Sequence, residues 1–207
     1  MILQGILHLL TGFDHLAFLL VALLGVVRRR DANDPQPLRT AMVESFKVIT
    51  AFTVAHSITL TLAAIGVVAL APHFVEASIA ATVFVTAIAG FWKPTRFHAW
   101  PLAAAFGLVH GFGFAGALAG LISGEASSLA GNSAAHSAAT GAATTTGPMT
   151  IGTFNLGIEV AQLAVALALV PLLYLLTRKR TMDRWVSPAI SAAVAVVALG
   201  WFVERIG

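Results

Sequence analysis

Seven histidines and nine carboxylates are spread over 207 residues, and four of the histidines, His8, His15, His56 and His110, fall inside long apolar stretches, as do Asp14 and Glu159. An ionisable side chain at membrane depth is costly to insert and is usually kept for a task. Imidazole nitrogen with carboxylate oxygen suits borderline divalent ions such as Ni²⁺, Co²⁺ or Zn²⁺. It is richer in nitrogen than Mg²⁺ or Ca²⁺ requires. The chain has no cysteine, which excludes disulfides, thiolate chemistry and iron–sulfur clusters, and its four methionines form no stripe for Cu(I). These groups are therefore expected to converge on one metal-binding site contributed by several helices.

Composition says what those helices must be. The sequence is 58% hydrophobic and only 10% charged, with a mean hydropathy of +0.88, against about 25% charged residues in soluble domains. It reads as an integral membrane protein whose partner is the lipid bilayer. The net charge of +3 does not indicate nucleic acid, because the cations sit in short clusters between apolar runs. Those runs fall at Ile2–Val27, Glu44–Leu70, Phe74–Trp92, Trp100–Ile122, Ile151–Thr177 and Trp185–Val203. The fold class is all-α, a polytopic transmembrane bundle of about six helices forming a single transmembrane domain over residues 1–207. The alternation of an outer-membrane barrel is missing from these runs.

Orientation follows from the connections. Arg28, Arg29, Arg30, Arg39 and Lys47 flank the first, Lys93 and Arg96 the third, and Arg178, Lys179, Arg180 and Arg184 the fifth, while the second and fourth have none. The positive-inside rule makes the odd connections cytoplasmic and both termini external. The first run has no Lys or Arg before it and no small-residue cleavage site after it, so it is expected to be a retained helix rather than a signal peptide. Ser123–Thr150, nearly all Ser, Ala, Thr and Gly, reads as a flexible external loop in which His136 is simply solvated.

On a continuous first helix, His8 and His15 lie on one face but about 10 Å apart along the axis, too far to share one ion. Asp14 can flank the same cavity or orient a ligand from another helix. In the second run, Thr50, Thr53, His56, Ser57 and Leu60 recur at intervals of three and four. Its hydroxyls have a purely structural reading, back-bonding to their own helix. Glu76 sits near a helix start, where it serves as a dipole cap or as an attraction site for cations. Gly107 and Gly111 provide a close-packing spacing around His110. Asn155, Glu159 and Gln162 form one polar stripe on the fifth run. Ser187, Ser191, Glu204 and Arg205 leave the sixth looking peripheral.

The combination of His8-x5-Asp14-His15, Thr50–Leu60, Phe106–Ala115 and Phe154-Asn155-Leu156-Gly157-Ile158-Glu159 resembles the HupE/UreJ family of bacterial membrane proteins, across about five of the runs. Members of that family are nickel or cobalt permeases that support hydrogenase and urease maturation. The resemblance implies metal passage, with His8, Asp14 and His15 most closely tied to it, a bacterial inner-membrane location, and a metallo-enzyme maturation system among the partners. The Ser123–Thr150 insert departs from the pattern, and no second His-rich motif is present.

The expected function is therefore a permease whose cargo, nickel, cobalt or zinc, binds His8, Asp14, His15, His56, His110 and Glu159. Thr53, Ser57, Glu76, Asn155 and Gln162 are expected as polar support, and assembly as a homo-oligomer is compatible with the sequence. The alternative is an intramembrane zinc hydrolase built from the same residues, with Glu159 as general base. No ATP-binding loop is present, so any ATP coupling would need a partner.

Overall fold

The structure, a computed structural model, describes residues 1–28, 37–68, 70–91, 99–113 and 136–207. Among these it is all-α: α1 (Ile2–Thr11), α2 (Phe13–Val27), α3 (Leu38–Ala64), α4 (Pro72–Ala89), α5 (Ala99–His110), α6 (His136–Thr177) and α7 (Arg180–Ile206). Four helices are long and apolar enough to cross a membrane, namely α3, α4, Ile151–Thr177 of α6 and Asp183–Ile206 of α7, and the α1–α2 pair makes a fifth if taken as one broken span. α5 is shorter, and residues 114–122 of the expected fourth run lie outside the described residues.

The first apolar run is not one helix. Gly12 leaves the helical region at φ −79°, ψ 88°, and the chain turns by 74° between α1 and α2. A Cβ at this position would lie 2.8 Å from His15 Nδ1 and 2.9 Å from the His8 carbonyl, so the corner is built around a missing side chain. α6 begins earlier than expected. Residues 136–150, assigned from sequence to the external loop, are its first turns, and the four alanines there favour helix. The rest of that loop, 123–135, lies outside the described residues. α6 then continues through Pro171 without a break.

With no water in hydrocarbon, each buried polar atom must find its partner inside the protein. The α3 hydroxyls do so one turn back, Thr53 to Ile49 O at 3.1 Å, Ser57 to Thr53 O at 2.7 Å and Thr61 to Ser57 O at 2.7 Å. Their structural reading is thereby satisfied. Glycine sets the closest helix contacts. Gly107 of α5 lies against the Phe52 backbone and 3.1 Å, counted from a built Cβ, from Ala55 Cβ. Gly111 faces Thr59 and the His56 carbonyl, and Gly5 and Gly157 let α1 and α6 meet backbone to backbone. One end of the bundle is filled by Leu19, Leu23 and Leu24 of α2, Ile49 of α3, and Val170 and Leu173 of α6.

α7 is more deeply engaged than its sequence implies. Ser187 and Ser191 are fully buried, and Ser191 packs where Gly90, just after α4, has no side chain. At one end, Arg28 donates to the Gly90 carbonyl and stands 3.4 Å from Asp183, which also accepts from Ser187 at 2.6 Å. At the other, Arg205 reaches Asp14 and Glu76. The expected peripheral helix is therefore a clamped one, because small residues on its inner face let it approach α4.

Replacing Gly107 by Ala should destabilise the detergent-solubilised protein by about 1–3 kcal/mol, the usual cost of an overpacked contact. The thermal or denaturant unfolding midpoint, compared with wild type, measures it.

Candidate metal-ion site

Gly12 does more than end a helix. By folding α1 back over the start of α2 it brings the His8 and His15 rings to 5.0 Å between centroids. The separation of about 10 Å expected on a straight helix is therefore corrected, because the helix is broken between the two residues. The only signal for this in the sequence was the glycine between them, a weak one on its own.

His15 is the centre of the cluster. Its ring lies 5.2 Å from that of His110 on α5 and 5.9 Å from that of His56 on α3. Four chain segments thus place imidazoles beside His15, with His15, His56 and His110 buried and His8 half-buried. Asp14 fixes the central ring: its Oδ1 accepts from His15 Nδ1 at 2.9 Å and from the His15 backbone N–H at 2.9 Å. On α5, His110 Nδ1 donates to the Phe106 carbonyl at 2.9 Å. With Nδ1 protonated in both rings, each Nε2 keeps a lone pair. A carboxylate or carbonyl that accepts from the ring N–H in this way is the usual outer partner of a metal-ligating histidine.

Those lone pairs are not used by the protein. Among the described residues, His15 Nε2, His110 Nε2 and both nitrogens of His56 are buried without a hydrogen-bond partner, as is Asn155 Oδ1. Buried polar groups are almost always paired, and each unpaired one costs roughly 1–3 kcal/mol. A cluster of such atoms fits a cation that accepts nitrogen donors. Phe18 and Phe52, which sequence reasoning passed over, form the wall: Phe52 stacks on His56 at 5.9 Å and meets His110 edge-on at 5.2 Å, and Phe18 stands 5.6 Å from His110. Phe52 lies one turn before His56, which is the signal that would have found it.

Gln162 Oε1 accepts from Thr53 Oγ1 at 2.6 Å, both side chains buried. Ser57 is half-buried and back-bonds within α3. Glu159 is half-buried on α6 and makes no hydrogen bond or ion pair among the described residues, while Phe154 on the same helix lies 5.6 Å from His8. Glu76 is exposed at the start of α4 and faces Arg205. Among the described residues, no three His, Asp or Glu side chains are close enough to hold one ion together. The imidazoles are arranged as neighbours around His15.

A protein-family model described as HupE / UreJ protein matches residues 1–131 and 134–205. No curated protein and no solved structure matches the chain.

The Thr53–Gln162 bond joins α3 to α6 just beyond His56. A double-mutant cycle of Thr53→Val and Gln162→Leu, read by unfolding in detergent, should give a coupling of about 0.6–1.7 kcal/mol, the range for hydrogen bonds between membrane helices. A coupling indistinguishable from zero would mean the pair adds nothing to helix association.

Proposed function

The chain belongs to the HupE/UreJ family, a membrane family linked to nickel and cobalt transport, and we propose that it is a permease passing nickel, cobalt or zinc by way of His8, Asp14, His15, His56 and His110. The observation that carries this reading is the set of buried, partnerless imidazole nitrogens, two of them on rings whose other nitrogen is already committed, to Asp14 and to Phe106 O. Lone pairs held in that way bind a divalent transition metal without first releasing a proton. Three helices and a helical corner supply the donors, so an ion is handed between neighbours instead of being locked into one closed shell.

Glu159 and Asn155 on α6 are proposed as the next oxygen donors along the path, with Glu76 as an acid at its mouth. The alternation of Lys and Arg among the connections supports both termini outside, in a bacterial inner membrane. A potential negative inside then drives a divalent cation inward by about 4–5 kcal/mol per 100 mV. Metallo-enzyme maturation machinery is the proposed recipient, and the chain is proposed to act as a single transmembrane domain.

Uptake of labelled Ni²⁺, Co²⁺ and Zn²⁺ into proteoliposomes tests the assignment. His15→Ala should lower flux at least tenfold for the transported ion. Asp14→Asn should weaken metal affinity by roughly 10–100-fold, as loss of an outer partner of a ligating imidazole does, and Glu159→Gln should lower flux more mildly. Unchanged flux in both His15→Ala and Glu159→Gln would remove these residues from the path.

The orientation has its own test, made simple by the lack of native cysteine. A membrane-impermeant maleimide applied to intact spheroplasts should label Ala71→Cys and spare Lys179→Cys, both exposed positions. The reverse pattern would invert the topology.

A further inference from the structure

Of the twelve Lys and Arg residues, eleven belong to the connections assigned to the inner side, and Arg205 is the exception. It lies in the last turn of α7, at the opposite end of the bundle from the Arg28–Asp183 clamp. Its Nη2 is 3.9 Å from Asp14 Oδ2 and its Nε is 3.9 Å from Glu76 Oε2. Nη1 donates to the Glu76 carbonyl oxygen at 3.1 Å, and the guanidinium lies 5.8 Å from the centroid of the Trp201 ring. One cation therefore stands between two carboxylates that differ in depth: Asp14 is 17% exposed and Glu76 is 55% exposed.

Asp14 divides its two oxygens. Oδ1 orients His15, and Oδ2 is turned toward Arg205. A divalent ion coming to His15 enters the field of this same carboxylate, where a neighbouring guanidinium repels it. We propose that Arg205 is a built-in competitor of the transported cation at Asp14, with Glu76 as the alternative anchor that receives the guanidinium as the metal takes its place. This rests on the reading that the His15 cluster binds a divalent cation.

The geometry favours exchange over a permanent lock. Neither ion-pair distance is short, the only hydrogen bond made by Arg205 among the described residues is to the backbone of Glu76, and Trp201 holds the planar group where a small swing reaches either acid. With the imidazoles neutral, Asp14, Arg205 and Glu76 carry one net negative charge. A divalent ion turns this into one net positive charge, and moving the guanidinium outward onto Glu76 takes its repulsion away from Asp14. Release of the metal is then assisted by the return of Arg205 to Asp14, so the residue sets affinity low enough for turnover. Arg205 acts through Asp14 and is a positioning residue for the cation.

The test uses the full chain in nanodiscs, with equilibrium dialysis of labelled Ni²⁺ and Co²⁺ and with thermal unfolding as a fold control. Arg205→Gln should bind roughly tenfold more tightly than wild type, as loss of a repelling charge in a low-dielectric site requires, and Arg205→Lys should stay within about threefold of wild type. A purely structural clamp would give the opposite, weaker binding in step with lower stability. Glu76→Gln should weaken binding in the wild-type background, and this effect should vanish when Arg205 is already Gln. Unchanged or weaker binding in a folded Arg205→Gln protein overturns the proposal. Should Arg205→Gln not fold, unchanged or tighter binding in Glu76→Gln overturns it. A wild-type protein that binds neither ion instead removes the functional reading beneath it.

Discussion

Hydrocarbon offers no water to a stray polar atom, and this constraint sorts every polar side chain of the bundle into one of two groups. The hydroxyls of α3 and α4 settle with their own backbone carbonyls one turn back, Thr53, Ser57, Thr61 and Thr86 among them. They cost the helix little, and of those named only Thr53 also bonds a neighbouring helix, at Gln162. The imidazoles of His15, His56 and His110 do not settle in this way. Their bonding is incomplete among the described residues, as is that of a few other buried atoms such as Ser45 Oγ, Ser191 Oγ and Asn155 Oδ1, and the surrounding helices hold them so.

Holding them takes close packing around the cluster. Gly107 and Gly111 bring α5 against α3 so that His110 and His56 face the same interior, and Gly5 and Gly157 bring α1 against α6. Phe18 and Phe52 fill the space between rings that would otherwise admit solvent. The arginine contacts at both ends of α7 tie α2, α4 and α7 together, with buried Ser187 and Ser191 permitting the approach. Stability and site geometry thus draw on the same contacts, since the glycines that let the helices touch also set where the imidazoles stand.

Much of this was legible in the sequence. Long uniformly apolar runs can only be helices in a bilayer, and four ionisable groups in them, His15, His56, His110 and Asp14, could be singled out by the cost of burying them. What escaped was whatever depended on a departure from helical regularity or on a long-range partner. The axial rise of a straight helix separates His8 from His15 although both lie on one face, and only the backbone torsion at Gly12 reunites them. Arg205 reads as an ordinary charge at a helix end, because nothing near it in sequence reveals that Asp14 and Glu76 wait across the bundle. Ser123–Thr150 reads as loop by its small polar residues, yet part of it carries enough alanine to continue α6 toward its start. Glu159 is half-buried on α6, and which way it turns is a matter of helix rotation that periodicity fixes only to within a residue or so.

The layer of Leu19, Leu23, Leu24, Ile49, Val170 and Leu173 lies beyond the Thr53–Gln162 bond, on the side of the histidines toward Val27 and Thr177. A hydrated ion has no open aqueous lane through such a dry seal. For the permease proposed above, passage would require α6 to part from α2 and α3, breaking the Thr53–Gln162 bond and briefly unpacking the leucines. Collective helix displacements of this sort take microseconds to milliseconds. A permease of this build would accordingly work as a carrier counted in discrete cycles, steeply sensitive to temperature and membrane fluidity, and far below the rates of a continuously wetted pore.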